Sequence, residues 1–107
     1  MYTIGNIIYG IPITLQVAKA VEASGEDWES LGFETLYVGY QTDFPPGYLG
    51  VRLGEFDECE GDFPLSRIML SPSDEQKAEA EAKINMLSEE IKESMPSIDI
   101  YIVWSTS

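Results

Sequence analysis

The ten residues 54–63, "GEFDECEGDF", hold five carboxylates and the only cysteine of the 107-residue chain. Side chains of these types at this density allow three interpretations: a site for a hard cation, a reactive thiol, or a negatively charged surface that imitates the phosphates of a nucleic acid. The five carboxylates are those of Glu55, Asp57, Glu58, Glu60 and Asp62, and the thiol is that of Cys59.

A metal site is disfavoured by the arrangement of the acids. The spacing of the acids does not match the calcium-loop pattern D-x-[DN]-x-[DN]-G-x₅-E. On an extended strand, Glu55 and Asp57 also point away from Glu58 and Glu60, so the four carboxylates do not converge on one ion. We therefore expect no bound metal and no cofactor.

The thiol of Cys59 is a poor nucleophile on the same evidence. Its neighbours Asp57, Glu58 and Glu60 disfavour a second negative charge, and so they suppress the reactive thiolate. One cysteine forms no disulfide within the chain, which fits a reducing compartment. We expect a structural thiol.

The residue types that are missing exclude most catalytic chemistry. The chain has no histidine, so it cannot build a Ser-His-Asp or Cys-His pair. It has too few cysteine and histidine ligands for zinc, and neither GxxxxGK[ST] nor GxGxxG occurs. We expect a protein that is not an enzyme.

Charge is the strongest feature of the composition. Nineteen acids and six bases give a formal net charge of −13. Residues 26–62 hold ten of the acids and only one base, Arg52. A field of this sign repels nucleic acid and anionic lipid and attracts cationic partners, although acidity can also serve solubility alone.

Length and hydropathy favour one cytoplasmic domain over residues 1–107. The chain is 44% hydrophobic, which is enough to build a core. Its apolar runs are far shorter than the roughly 20 residues that cross a bilayer, and no signal peptide is visible at the start.

The first half of the chain predicts a strand, a helix and two further strands. Residues 2–13 form the first strand, which bends near Gly10, and residues 14–24 form a helix between Thr14 as cap and Gly25 as left-handed end. Alternation over 33–41 predicts a second strand, and residues 49–58 a third. Phe56 is out of phase with Leu49 and Val51, so we expect a β-bulge at Gly54 to return it to the core.

The second half predicts a long helix and a last strand. Residues 71–95 form the helix, with a capping box from Ser71 to Asp74 and an i,i+4 pair of Glu79 with Lys83. Its buried stripe is Ala80, Ile84, Leu87 and Ile91. In the strand 97–105 we expect one set to face inward, namely Ile98, Ile100, Ile102 and Trp104, and Asp99, Tyr101 and Val103 to face outward.

The order β-α-β-β-α-β predicts an α+β fold of the ferredoxin-like type, an antiparallel sheet with two helices on one face. With Tyr37, Tyr101 and Val103 on an open sheet face, this order resembles that of RNA-recognition domains, in topology alone. Their basic-aromatic RNP1 motif is missing and the net charge opposes RNA. We therefore expect no direct binding of nucleic acid and no membrane association.

These observations favour a binding or inhibitory protein whose acidic surface engages a basic, nucleic-acid-binding protein. Its sharper form is a nucleic-acid mimic comparable in class to the small acidic anti-defence inhibitors of phages. The expected contact residues are Glu26, Asp27, Glu29, Glu34, Glu55, Asp57, Glu58, Glu60 and Asp62, with Trp28, Tyr37 and Tyr101 as interface aromatics.

Two alternatives stay open. One is a homo-oligomeric accessory domain, for example a homodimer formed through its tyrosines. The other is a small-ligand module with its site between protomers or under the loop "TDFPPGYLG", and with Arg52 meeting an anionic group. Its aromatic walls would be Trp28, Tyr40, Phe44 and Tyr48.

Overall fold

A computed structural model describes residues 3–57 and 71–106 of the chain. Within these ranges it contains four strands, β1 (Thr3–Pro12), β2 (Glu34–Thr35), β3 (Gly47–Asp57) and β4 (Asp99–Thr106). Three helices accompany them: α1 (Leu15–Ser24), α2 (Asp74–Asn85) and α3 (Glu89–Glu93). The chain is thus a small α+β protein.

The sheet is antiparallel throughout and has the order β2-β3-β1-β4. β1 is central and pairs over nearly its whole length with β3 on one side and β4 on the other. Near the predicted bend, Gly10 lies opposite Gly50, and a Cβ on either residue would collide with the backbone of the facing strand. Two facing glycines therefore allow the close approach of β1 and β3 at this point.

Helix α1 has the termini that the sequence predicts. The Val17 N–H donates to Thr14 Oγ1 at 3.3 Å, and Gly25 ends the helix in the left-handed conformation at φ 76°. Val17 and Val21 are its buried positions. Local capping chemistry was sufficient to place this helix.

The predicted β-bulge is confirmed beside Gly54. Ile7 lies opposite Gly54 while Ile8 lies opposite Arg52, so Leu53 is the extra residue on β3. The insertion returns Phe56 to the face that carries Leu49, and Phe56 is only 5% exposed.

The long helix predicted over 71–95 is two helices, and this part of the prediction is wrong. The Ser88 side chain accepts the Ile91 N–H and begins α3, while Leu87 N–H reaches only Ile84 O, a tightened turn that ends α2. The capping box is also two residues later than predicted, from Ser73 to Gln76. The buried stripe and the Glu79–Lys83 pair are nevertheless confirmed.

The strand predicted over 33–41 is also wrong, since β2 contains only Glu34 and Thr35. After Thr35 the chain leaves the edge of β3. The Leu36 N–H donates to Pro46 O at 2.8 Å, and Tyr37 O accepts the Thr106 N–H at 2.8 Å. Residues 36–39 thus connect the β2–β3 side of the sheet with the end of β4. We call this connection the seam.

The predicted facing of β4 is wrong as well. Val103 is 7% exposed, whereas Ile98, Ile100, Ile102 and Trp104 are 36–46% exposed. Ile100, Ile102 and Trp104 lie on the same face of the sheet as Ile11. Helix α2 packs on β3 and β1, however, and so it leaves the β4 part of that face uncovered. Val103 is buried on the other face because the sheet curls and Leu36 closes over it.

Two apolar cores result, one on each face of the sheet. The larger lies between the sheet and the helices, and the smaller lies inside the curl. The larger core contains Ile11, Ile13, Val17, Val21, Phe33, Leu49, Ile84, Leu87 and Ile91, and the smaller contains Ile8, Tyr48 and Val103. With three helices and a two-residue β2, the ferredoxin-like arrangement with two helices on one face stays a prediction.

Candidate functional site

The acidic connection between α1 and β2 is a structured turn. Asp27 Oδ1 accepts the Ser30 N–H at 2.7 Å, and Phe33 N–H donates to Trp28 O at 3.0 Å. The Trp28 and Phe33 rings meet edge to face with their centroids 5.1 Å apart. The hydrogen bonds from the Ser30 backbone and side chain favour the ionised carboxyl and lower the pKa of Asp27.

A groove of about 410 Å³ lies between α1, this turn and residues 43–45. We call it the acidic groove, because four exposed carboxylates line it and none of its lining residues is basic. Its apolar floor comes from α1, Trp28 and Phe44. The carboxylates are those of Glu22, Glu26, Asp27 and Asp43.

A second groove, of about 570 Å³, shares Glu26 with the acidic groove and continues to the end of α2. Glu29 lines it on one side and Lys83 on the other. The Lys83 ammonium donates to Gly50 O at 3.0 Å and lies 3.6 Å from Glu79. Its charge is therefore held by the sheet and by α2.

The carboxylates around these two grooves form what we call the acidic surface: Glu22, Glu26, Asp27, Glu29 and Asp43. All five are exposed, and none is ion-paired with another residue of the described ranges. The ion pairs that the structure gives involve other carboxylates: Glu55 pairs with Arg52, Glu79 with Lys83, and Glu89 with Lys92.

The other predicted contact residues lie apart from this surface. Glu34 is exposed on β2 and lies opposite Tyr48 near the start of β3. Glu55 and Asp57 lie at the other end of β3, and Glu55 is roughly 25 Å along the strand from Tyr48. Glu55 pairs with Arg52 at 3.4 Å. Glu58, Cys59, Glu60 and Asp62 lie outside the described residues.

The three predicted interface aromatics have different environments. Trp28 is half-buried against the larger core, and Tyr37 is 69% exposed on the seam. Tyr101 is half-buried beside the smaller core and donates its hydroxyl to Ser97 O at 2.7 Å.

Glu22 and Asp43 were not predicted as site residues. Glu22 lies on α1, and Asp43 reaches the same groove only because the loop 40–46 folds back toward that helix. This is a tertiary relationship that no local pattern encodes.

A buried polar group inside the curl was also missed. Asn6 is 2% exposed, and its amide donates to Val103 O at 2.9 Å and to Ser105 Oγ at 3.0 Å. The Arg52 guanidinium donates to the side-chain oxygen Oδ1 of Asn6 at 3.4 Å. The signal was present, since Asn6 interrupts an otherwise apolar strand and a buried amide needs such partners.

A third groove, of about 560 Å³, lies beside the seam, and we call it the seam groove. It is lined by Ile102, Val103 and Trp104 of β4, by residues 40–44 and 46–47, and by Pro12 and Ile13 at the end of β1. Tyr40 and Phe44, which the small-ligand interpretation used, are both present here. Arg52, its expected anion contact, is not among the lining residues and pairs with Glu55.

In residues 3–57 and 71–106, no group of three or more acid, cysteine or histidine side chains is placed to hold a metal ion. No helix in the same ranges is long and apolar enough to cross a membrane. Comparison with protein-family models, with curated proteins and with solved structures gives no match.

Proposed function

We propose that the chain is a non-enzymatic binding or inhibitory protein whose acidic surface engages a basic, nucleic-acid-binding protein. The observation that carries the proposal is the uncompensated charge of the acidic surface. Five exposed carboxylates surround two adjoining grooves, and Lys83, which lines one of these grooves, is already engaged by Gly50 O and Glu79.

Such a surface suits a cationic partner for two physical reasons. Carboxylates that line a concave surface reinforce one another's field and speed the association of opposite charge. The Trp28 and Phe44 rings beside them offer an apolar surface for the aliphatic stems of lysine and arginine. A groove of this kind competes with nucleic acid for the same basic side chains.

If the chain mimics a nucleic acid, the carboxylates outside the acidic surface have a secondary role. Glu55 and Asp57, at the far end of β3, would contact a partner that extends well beyond the grooves. The ferredoxin-like arrangement stays part of this proposal, supported by the antiparallel order with β1 and β3 at its centre.

The test compares two variants that change the net charge by the same amount. Glu26→Lys with Glu29→Lys alters the acidic surface, and Glu81→Lys with Glu93→Lys alters exposed acids of α2 and α3. Each tagged chain is used to capture proteins from lysate of its own host at low and at high salt. Captured proteins are then assayed for binding to a DNA duplex with and without the wild-type chain.

We expect the wild-type chain and the α2/α3 variant to retain a basic protein at low salt, and the acidic-surface variant to lose it. The retained protein should release its duplex when the wild-type chain is added, and capture should weaken at high salt. Equal capture by both variants would refute the role of the acidic surface, and an undisturbed duplex would refute mimicry.

A further inference from the structure

The outer edge of β4 presents peptide groups that point away from the sheet. Thr106 N–H donates outward to Tyr37 O, whereas Val103 O points inward to the Asn6 amide. Peptide groups alternate in direction along an antiparallel strand, so those of Ile102 and Trp104 also point outward. Within the described part of the chain, neither of these two N–H groups has a partner.

This open section of edge is bounded at both ends. The Thr106 N–H is held by Tyr37 O, and the Ile100 N–H is held by Asp99 Oδ1 at 2.8 Å. Between the two ends lies the seam groove, whose volume of about 560 Å³ is within the usual range of ligand pockets. An exposed edge of this kind is a template for another strand.

The seam groove adjoins the acidic groove. Asp43 and Phe44 line both of them, so one ligand can contact the β4 edge and the acidic surface together. We propose that the seam groove takes an extended, basic segment of the partner protein, which adds to β4 as a strand. This rests on the proposed function and specifies how the partner binds.

The chemistry of the groove favours an extended peptide over the other occupants. An extended backbone supplies, at the spacing of the strand itself, both the acceptors and the donors that the outward peptide groups of Ile102 and Trp104 require. Alternate side chains of such a strand would lie against Ile102 and Trp104, and a lysine or arginine would reach Asp43. A second copy of this chain carries a charge of −13 and is repelled.

The experiment uses the wild-type chain and a blocked hexapeptide, Lys-Val-Lys-Val-Lys-Val. Amide hydrogen exchange is followed by NMR for Ile102 and Trp104, with Val103 as an internal control because its peptide group already faces β1. Two further peptides carry N-methyl groups, one on its valines and the other on its lysines. Only one of these patterns removes the hydrogen bonds that face β4, because strand peptide groups alternate.

We expect the peptide to slow exchange of the Ile102 and Trp104 amides by about tenfold or more, without an effect on Val103. One N-methylated peptide should keep this protection and the other should lose it. Equal protection by the two N-methylated peptides would overturn strand addition. Unchanged exchange of the Ile102 and Trp104 amides at about 1 mM of the unmethylated peptide would overturn it as well. That failure is separate from failure of the proposed function, which is measured by capture with the Glu26→Lys and Glu29→Lys variant.

Discussion

The ring of Phe56 lies in the space that a side chain at Gly5 would occupy. The two residues are directly opposite each other on β3 and β1, and a Cβ on Gly5 would overlap the Phe56 ring. Trp104 lies opposite Gly5 on the other side and meets Phe56 edge to face, with centroids 5.5 Å apart. One glycine thus lets two aromatic rings from β3 and β4 meet over the central strand.

Gly5→Ala is therefore expected to destabilise the fold by about 1–3 kcal/mol, because the added methyl forces the packed ring to move. The measurement is the free energy of unfolding from urea denaturation. Phe56→Leu provides the matched test, since it removes the ring that the methyl would strike. The double variant should lose less stability than the sum of the single variants, and strict additivity would show that the ring is not the obstacle.

The cap of α2 gives a prediction with a control inside the same segment. Ser73 accepts the Gln76 N–H at 3.1 Å, and Gln76 returns a hydrogen bond to the Ser73 N–H at 2.8 Å. Ser73→Ala should therefore lower the free energy of unfolding by about 1 kcal/mol. Ser71→Ala, at the exposed position that the sequence pattern favoured, should leave it nearly unchanged. A larger effect at Ser71 would contradict the structural cap.

These examples show which parts of the fold the sequence could supply. The ends of α1, the bulge beside Gly54 and the buried positions of α2 and α3 follow from local capping, local phase and local periodicity. Each of these features depends on residues that lie only a few positions away in the sequence. The break after α2 was missed because Ser88 as a cap competes with a helical pattern that continues through it.

The errors arise where contacts distant in sequence decide the outcome. Residues 36–41 alternate as a strand does, yet they do not pair with β3. The Tyr37 carbonyl accepts a hydrogen bond from the N–H of Thr106, which is 69 positions away in the sequence. The same curl buries Val103 and leaves Trp104 at 46% exposure. The acidic surface was predicted in part, through Glu26, Asp27 and Glu29, but Asp43 joins it only through this long-range folding.

Tyr48 gives a prediction at high pH. Burial raises the pKa of its phenol above the ordinary 10.0; nearby Arg52 lowers it, and nearby Glu34 raises it. Because folding favours the neutral phenol, its contribution to stability is complete below pH 10 and is lost as the pH rises through the raised value. Tyr48→Phe should therefore flatten the fall of the unfolding free energy above pH 10.

Absorbance titration of the phenols checks the cause of this shift. One tyrosine should ionise above the ordinary value of 10.0 in the wild-type chain, and that step should disappear in Tyr48→Phe. Glu34→Gln should move the step to lower pH, and Arg52→Gln should move it to higher pH. A step that ignores both substitutions would assign the shift to burial alone.

Asp27 gives the corresponding prediction at low pH, and it concerns the acidic surface itself. The Ser30 backbone and side chain lower the pKa of the Asp27 carboxyl, so folding favours its ionised form. Its contribution is complete above the ordinary value of 3.8 and is lost as the pH falls through the lowered value. Carbon NMR titration should place the pKa of Asp27 below the ordinary value of 3.8. Ser30→Ala keeps the backbone donor, so it should return the pKa of Asp27 only part of the way, and a complete return would mean that the hydroxyl carries the effect.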